Sequence, residues 1–155
     1  MNTLPRHFPK LPAKLLAKIP NRYHSQILAL GLNRLLTSLL ATGELDFLEN
    51  KTLKISLLDV NICFCLGIQQ QRLTPSQAPP NLSIEGNVYD FLCLATQHED
   101  PDSLFFQRRL RLTGDINLGL QLKNFLDRVE PELHFPKFQS LLMQSLPIYQ
   151  RIIGG

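Results

Sequence analysis

The apolar residues of this chain change their spacing at about residue 50, and that change constrains what the chain can fold into. Leu28, Leu32, Leu35, Leu36, Leu39 and Leu40 recur at three- and four-residue steps, as on one face of a helix. From Leu53 to Ile68 the period is two. Leu53, Ile55 and Leu57 alternate with Lys54 and Ser56, and Val60, Ile62, Phe64, Leu66 and Ile68 then alternate with Asn61, Cys63, Cys65 and Gly67. The spacing predicts a helix over about 22–42 that stops at Gly43, a residue suited to the left-handed C′ position, and two strands joined by a turn near Asp59. A polar turn over Gln69–Gln71, a short strand at 72–74, a proline-rich loop at 75–80 and a strand carrying Leu82 and Ile84 extend this into an antiparallel meander. The face of the second strand that carries Cys63 and Cys65 is expected to be covered or to border a cavity.

Beyond Gly86, Asn87 is placed to cap a helix with Val88, Phe91, Leu92 and Ala95 on one side and Asp90 in its electropositive first turn. Residues 109–113 alternate, with Leu110 and Leu112 facing one way and Arg109, Arg111 and Thr113 the other. Arg108 shares parity with the leucines. It therefore lies at the exposed start of the strand or has a buried anionic partner, and the exposed position is the expectation. Asp115 caps the next helix, whose stripe is Leu118, Leu122, Phe125, Leu126 and Val129. A last short helix over about 137–146 presents Phe138, Leu141, Leu142 and Leu146, either docked on the core or as a cover over it. This order of elements is that of an α+β protein with helices gathered on one face of a sheet.

A chain of 155 residues suits one compact domain, and ten of its eleven prolines cluster at 5–20, 75–80 and 131–147. The expected divisions are an N-terminal arm over 1–21, a globular domain over 22–130 and a C-terminal helical segment over 131–155. Cys63, Cys65 and Cys93 cannot all pair within one chain, which points to a reduced, intracellular protein. The apolar runs fall well short of the roughly 20 residues that span a bilayer.

Charge is distributed unevenly. Arg6, Lys10, Lys14, Lys18, Arg22 and Arg34 all precede the first acidic residue, Glu44, so residues 1–43 carry +6 and the rest −3. Within the arm, Phe8, Leu11 and Leu15 recur between Lys10, Lys14 and Lys18 in an amphipathic pattern that Pro9, Pro12 and Pro20 confine to about two helical turns. Such an arm either straps across its own domain or lies in an anionic membrane surface through Phe8, Lys10, Leu11, Lys14, Leu15 and Lys18.

Conventional catalytic signatures are missing. The sequence contains no glycine-rich phosphate loop or nucleophile elbow, and His7, His24, His98 and His134 are scattered rather than spaced as metal ligands. Cys63 and Cys65 share a strand face as two metal ligands would, but their apolar surroundings favour packed small side chains, so neither metal nor cofactor is expected. The arm lacks the interleaved aromatic residues that stack nucleobases, which argues against nucleic acid. A binding protein without an active site is the expectation. Its leucine, isoleucine and phenylalanine side chains either close into a solid core or leave an apolar tunnel, and periodicity does not distinguish the two.

Particular words in the sequence carry more. Asp100-Pro101-Asp102-Ser103-Leu104-Phe105-Phe106-Gln107-Arg108-Arg109-Leu110 is followed by Gly114-Asp115, Leu118-Gly119-Leu120 and Lys123-Asn124-Phe125-Leu126-Asp127. Together with Gly43-Glu44-Leu45-Asp46-Phe47-Leu48-Glu49, this resembles the sterol carrier protein type 2 (SCP-2-like) domains, and among them the accessory factors of bacterial ubiquinone biosynthesis. The resemblance implies a five-stranded antiparallel or mixed sheet with helices on one face enclosing an apolar lipid cavity, which Ile62, Phe64, Leu66, Phe91, Leu110, Leu112, Leu122 and Phe125 would line or border. It also implies polyprenylated ubiquinone precursors or phospholipid as ligands, an oxygen-independent pathway with UbiU, UbiV and other biosynthetic enzymes as partners, and a cytoplasmic protein peripherally associated with the membrane.

Overall fold

The computed structural model of the protein describes residues 18–129 and, beyond them, Gln144, Pro147 and Arg151. The basic arm up to residue 17 and nearly all of the helix expected over 137–146 lie outside the described residues. The leucine stripe after Pro20 forms α1 (Asn21–Leu35) and α2 (Thr37–Ala41) rather than one continuous helix. The break at Leu36 has a local cause, since the Thr37 hydroxyl donates to the carbonyls of Asn33 (2.7 Å) and Arg34 (3.0 Å), a back-bonding that bends helices. Gly43 follows with φ at +78°, as its position at the end of the helical stripe predicts.

After a short 3-10 turn (Asp46–Leu48), the alternating segments become β1 (Thr52–Leu57) and β2 (Ile62–Gln69), paired antiparallel so that Ile55 faces Phe64 and Leu53 faces Leu66. Val60 falls in the connecting turn rather than in β2, and is buried there. Gln70 and Gln71 both take positive φ, the conformation of a two-residue hairpin turn, and lead into β3 (Arg72–Pro75).

The meander stops there. Instead of joining β3, β4 (Leu82–Gly86) pairs parallel with β1, placing Leu82 beside Leu53 and Ile84 beside Ile55. The proline-rich loop makes this crossing. Ser76 N–H donates to the Cys65 carbonyl at 2.9 Å, and its hydroxyl lies 2.7 Å from that of Thr52. Asn81 then brackets Thr52, accepting from its N–H through Oδ1 and donating to its carbonyl, both at 2.8 Å. A loop rich in proline offers few N–H groups to a strand ladder, so it crosses the end of the sheet more readily than it extends it.

Helix α3 (Val88–Thr96), helix α4 (Pro101–Phe106), strand β5 (Arg111–Gly114) and helix α5 (Ile116–Arg128) complete the described fold. Strand β5 pairs antiparallel with β4, giving the mixed five-stranded order β3-β2-β1-β4-β5. The cap of α3 is not the one expected, because the Asn87 side chain makes no capping bond and the Val88 N–H donates instead to Asp59 Oδ1 at 3.1 Å. Asp115 caps α5 as expected, accepting from Leu118 N–H at 3.1 Å. Helix α4 had not been foreseen, although Asp100 as N-cap followed by Pro101 is a legible start signal.

Helix α1 does more than bury leucines. Its Ser25 hydroxyl accepts from the Cys65 N–H at 3.0 Å, where β2 runs on past the end of β3. Its Asn33 amide bonds to both the N–H (2.7 Å) and the carbonyl (2.8 Å) of Leu73 on the outer edge of β3. A helix thereby satisfies backbone groups that an edge strand would otherwise present for pairing with another chain.

Candidate functional site

The period-two alternation of the strands and the register of β1 with its two neighbours bring Phe64, Ile55 and Ile84 into one row across the sheet, with Leu66 and Leu53 beside them. These side chains face α1, α3 and α5. The helices do not close onto the sheet but stand off it, leaving a cavity of about 630 Å³. From α1 the cavity takes Leu28, Leu32 and Leu35, from α3 Val88, Phe91 and Leu92, and from α5 Leu122, Phe125, Leu126 and Val129. Two ring contacts stiffen the walls, His24 edge-on to Phe64 at 6.1 Å and Phe47 tilted against Phe125 at 6.2 Å.

The chemistry of the lining is uniform. Among the described residues that line the cavity, Gln97 is the one polar side chain, and its Nε2 is already committed to the Val129 carbonyl at 2.7 Å. Gln97 occupies the left-handed position that ends α3 (φ +52°). The cavity is partly open to solvent, and four of its lining residues, Ile27 and Gly31 of α1 and Ala95 and Gln97 at the end of α3, are exposed. Among the described residues, a lining of this kind favours hydrocarbon, which gains by leaving water, over polar groups.

Five of the eight residues singled out in the sequence line this space: Phe64, Leu66, Phe91, Leu122 and Phe125. The other three lie behind the walls. Ile62 is buried with Val60 against Leu57 and Phe64, Leu110 with Cys93 and Leu104, and Leu112 packs against the cluster that holds Leu82, Leu118 and Leu122. Sequence reasoning passed over Leu53, Ile55 and Ile84 on the floor, which the alternation would have supplied had the strands been paired in register. Gln97 left no sequence signal, since glycine is the usual residue at its position.

Of the residues assigned to membrane contact, Lys18 is exposed, and Phe8, Lys10, Leu11, Lys14 and Leu15 lie outside the described residues. Cys63 and Cys65 occupy the sheet face opposite Phe64 and Leu66 and are half-buried, with Cys63 Sγ 3.6 Å from the Ser56 hydroxyl. Cys93 lies apart from them, fully buried beside Leu104 and Leu110. No helix among the described residues is long and apolar enough to cross a membrane.

An ion-pair lock flanks the cavity. Arg109 Nε donates to Asp90 Oδ1 at 2.7 Å, with side-chain exposures of 8% and 4%, and its other end pairs with Glu99. The guanidinium also stands 6.0 Å from the centre of the Tyr89 ring. Burial opposes the charge, but Asp90 and Glu99 outweigh it and hold the Arg109 pKa above its ordinary value. These contacts fasten α3 to the segment that leads into β5. The close approach there needs Gly86, where a Cβ would stand 2.6 Å from Leu110 Cδ2 and 2.9 Å from the Arg109 carbonyl.

Comparison with known proteins agrees with this architecture. Residues 32–127 match the model of the SCP-2 sterol transfer family. The chain is 35% identical over 137 residues to the ubiquinone biosynthesis accessory factor UbiT of Escherichia coli K12, an alignment covering 88% of this chain and 76% of that one. The same figures hold for UbiT of Escherichia coli O157:H7. Among solved structures, a UbiJ-SCP2 ubiquinone synthesis protein superposes with a TM-score of 0.53 at 14% identity, over 67% of this chain and 96% of the other, a likeness of fold. On the match to the family model and the identity to UbiT, the protein belongs to the SCP-2 sterol transfer family, in the branch that contains UbiT.

Proposed function

We propose that the protein is a non-enzymatic accessory factor of ubiquinone biosynthesis, which holds a polyprenylated precursor by its tail and presents the ring to biosynthetic enzymes near the membrane. The observation that carries this reading is the cavity, apolar in its lining and partly open to solvent. Its volume of about 630 Å³, at roughly 30 Å³ for a particle the size of a water molecule, takes about twenty carbons. That is some four isoprene units, each gaining up to roughly 4 kcal/mol on leaving water at about 0.8 kcal/mol per carbon. Longer tails leave part of their length outside. A quinone ring precursor, which is polar, finds only Gln97 among the lining side chains and stays where the cavity meets solvent, within reach of a modifying enzyme.

The relatives named for ubiquinone biosynthesis support the pathway, and the family resemblance supports its oxygen-independent branch with UbiU and UbiV as partners. Organic extraction of the purified protein followed by mass spectrometry tests the reading. A prenylated quinone precursor is the expected find, and protein that is empty in repeated preparations counts against any carrier. The lining also favours a second reading, because nothing in it tells an isoprenoid from an acyl chain. A general acyl, sterol or phospholipid carrier would release phospholipid on extraction and bind fatty acid as tightly as a quinone precursor in competition. A scaffold that binds no lipid would have been better served by a filled core.

A further inference from the structure

Helix α3 ends in a way that needs no side chain. The Gln97 N–H donates to the Leu94 carbonyl at 3.3 Å and the His98 N–H to that of Cys93 at 3.1 Å, the paired main-chain bonds of a Schellman turn. Glycine serves best at the left-handed position such a turn requires, because a Cβ there brings strain. The backbone gains nothing from glutamine at 97, so what the residue contributes lies in its amide.

That amide is only half used. Its Nε2 donates to the Val129 carbonyl at 2.7 Å and ties the end of α3 to the end of α5. Among the described residues nothing donates to its Oε1. The bond to Val129 holds the amide in place and leaves an acceptor unmatched. Gln97 lines the cavity and is also exposed, and the lining residues beside it, Leu94, Ala95 and Val129, bring no polar side chain. A fixed acceptor therefore stands where hydrocarbon space meets water, which is where a ligand with an apolar tail and a polar ring changes character. A hydroxyl set against any other part of the lining would give up its bonds to water for none.

We propose that Gln97 is a specificity-determining residue for the ring: its Oε1 accepts a hydrogen bond from the hydroxyl of a prenylated phenol whose tail occupies the cavity. The proposal rests on the carrier reading above and adds to it the ring chemistry that the apolar walls do not select. An ionised fatty acid carboxylate only accepts hydrogen bonds, so that atom does not match it.

The test compares two ligands that differ by one oxygen, geranylgeranylphenol and geranylgeranylbenzene, in displacing a fluorescent fatty acid from delipidated full-length protein. The ratio of their affinities for the parent is the reference. Gln97→Met keeps the length of the side chain and removes the amide. It is expected to lower the phenol-to-benzene ratio about fivefold, the worth of one neutral hydrogen bond, with the affinity for geranylgeranylbenzene unchanged. Gln97→Gly, which suits the turn, is expected to show the same drop and carries the test if Gln97→Met folds poorly. A glutamine that only ties α3 to α5 would weaken both ligands alike, and a ratio that stays at its parental value in the folded variant overturns the proposal. In that event binding of both ligands leaves the carrier reading standing, whereas failure of both to displace the fatty acid from the parent brings down the two together.

Discussion

Arg109 carries a full charge into a nearly closed environment, held there by Asp90 and Glu99. Asp90→Ala leaves that charge without its best partner and is expected to cost roughly 3–5 kcal/mol, read as a lower midpoint in urea unfolding. The Arg111–Glu85 pair, 3.3 Å apart and largely exposed, is the natural control, and Glu85→Ala is expected to cost at most about 1 kcal/mol. Cys93 makes a second residue-scale prediction. Burial, the largest influence, pushes its thiol pKa up, as it does for Cys65, but Cys93 is in addition fully closed off from solvent, so iodoacetamide should modify Cys63 first, Cys65 more slowly and Cys93 only after unfolding, as peptide mass mapping would show. Arg108 takes the exposed position expected of it. Parity singled out Arg108, which is exposed with φ at +59°, while the arginine with buried anionic partners is Arg109. The strand begins at Arg111 rather than at 109, and alternation says nothing about the turn before it.

At the scale of elements, α1 holds the β3 edge through Asn33, beside the Ser25 bond to β2. Asn33→Ala strips both partners from the Leu73 backbone and is expected to cost about 1–3 kcal/mol, with a rise in aggregation, measured by light scattering, as the β3 edge is uncovered. Helices α4 and α5 meet through Lys123, which lies 3.3 Å from Asp102 and 5.7 Å from the centre of the Phe105 ring. Asp127 sits near this contact with its pKa raised, first by burial and then by the carboxylates of Asp102 and Asp100. A raised carboxyl pKa means the fold prefers the protonated form, so native stability declines as pH rises through that pKa. Asp127→Asn should therefore raise the melting temperature slightly at neutral pH, and the gain should vanish once the pH falls below the usual carboxylate range. The identity of most elements was legible because their apolar period was long and unbroken, as at Leu53–Leu57 and Leu118–Val129. Their pairing was not. Whether β4 joins β3 or crosses to β1 depends on where the loop at 76–81 finds hydrogen-bond partners, which only the folded arrangement of Thr52, Ser76 and Asn81 reveals.

For the whole molecule, the cavity is a loss of packing that a ligand recovers. A lipid that binds only the folded state stabilises it by mass action, by about 2.7 kcal/mol at a hundredfold excess over Kd. Delipidated protein should therefore melt lower than protein as purified, and added long-chain lipid should restore the transition in differential scanning fluorimetry. That the interior is hollow was beyond the reach of periodicity, since the same stripes on α1, α3 and α5 could have met in a solid core. The family resemblance supplied the expectation of a cavity, and the standoff of the helices over Ile55, Phe64 and Ile84 gave it dimensions.

The parallel pairing of β1 with β4 also bears on how the chain is made. During synthesis α1 and the β1–β2–β3 hairpins emerge first, and β1, destined for the middle of the sheet, stays bare along one side until residues 82–86 leave the ribosome. Nascent chains halted before Leu82 should therefore stick to one another or to chaperones, and release should come with the arrival of that single short strand.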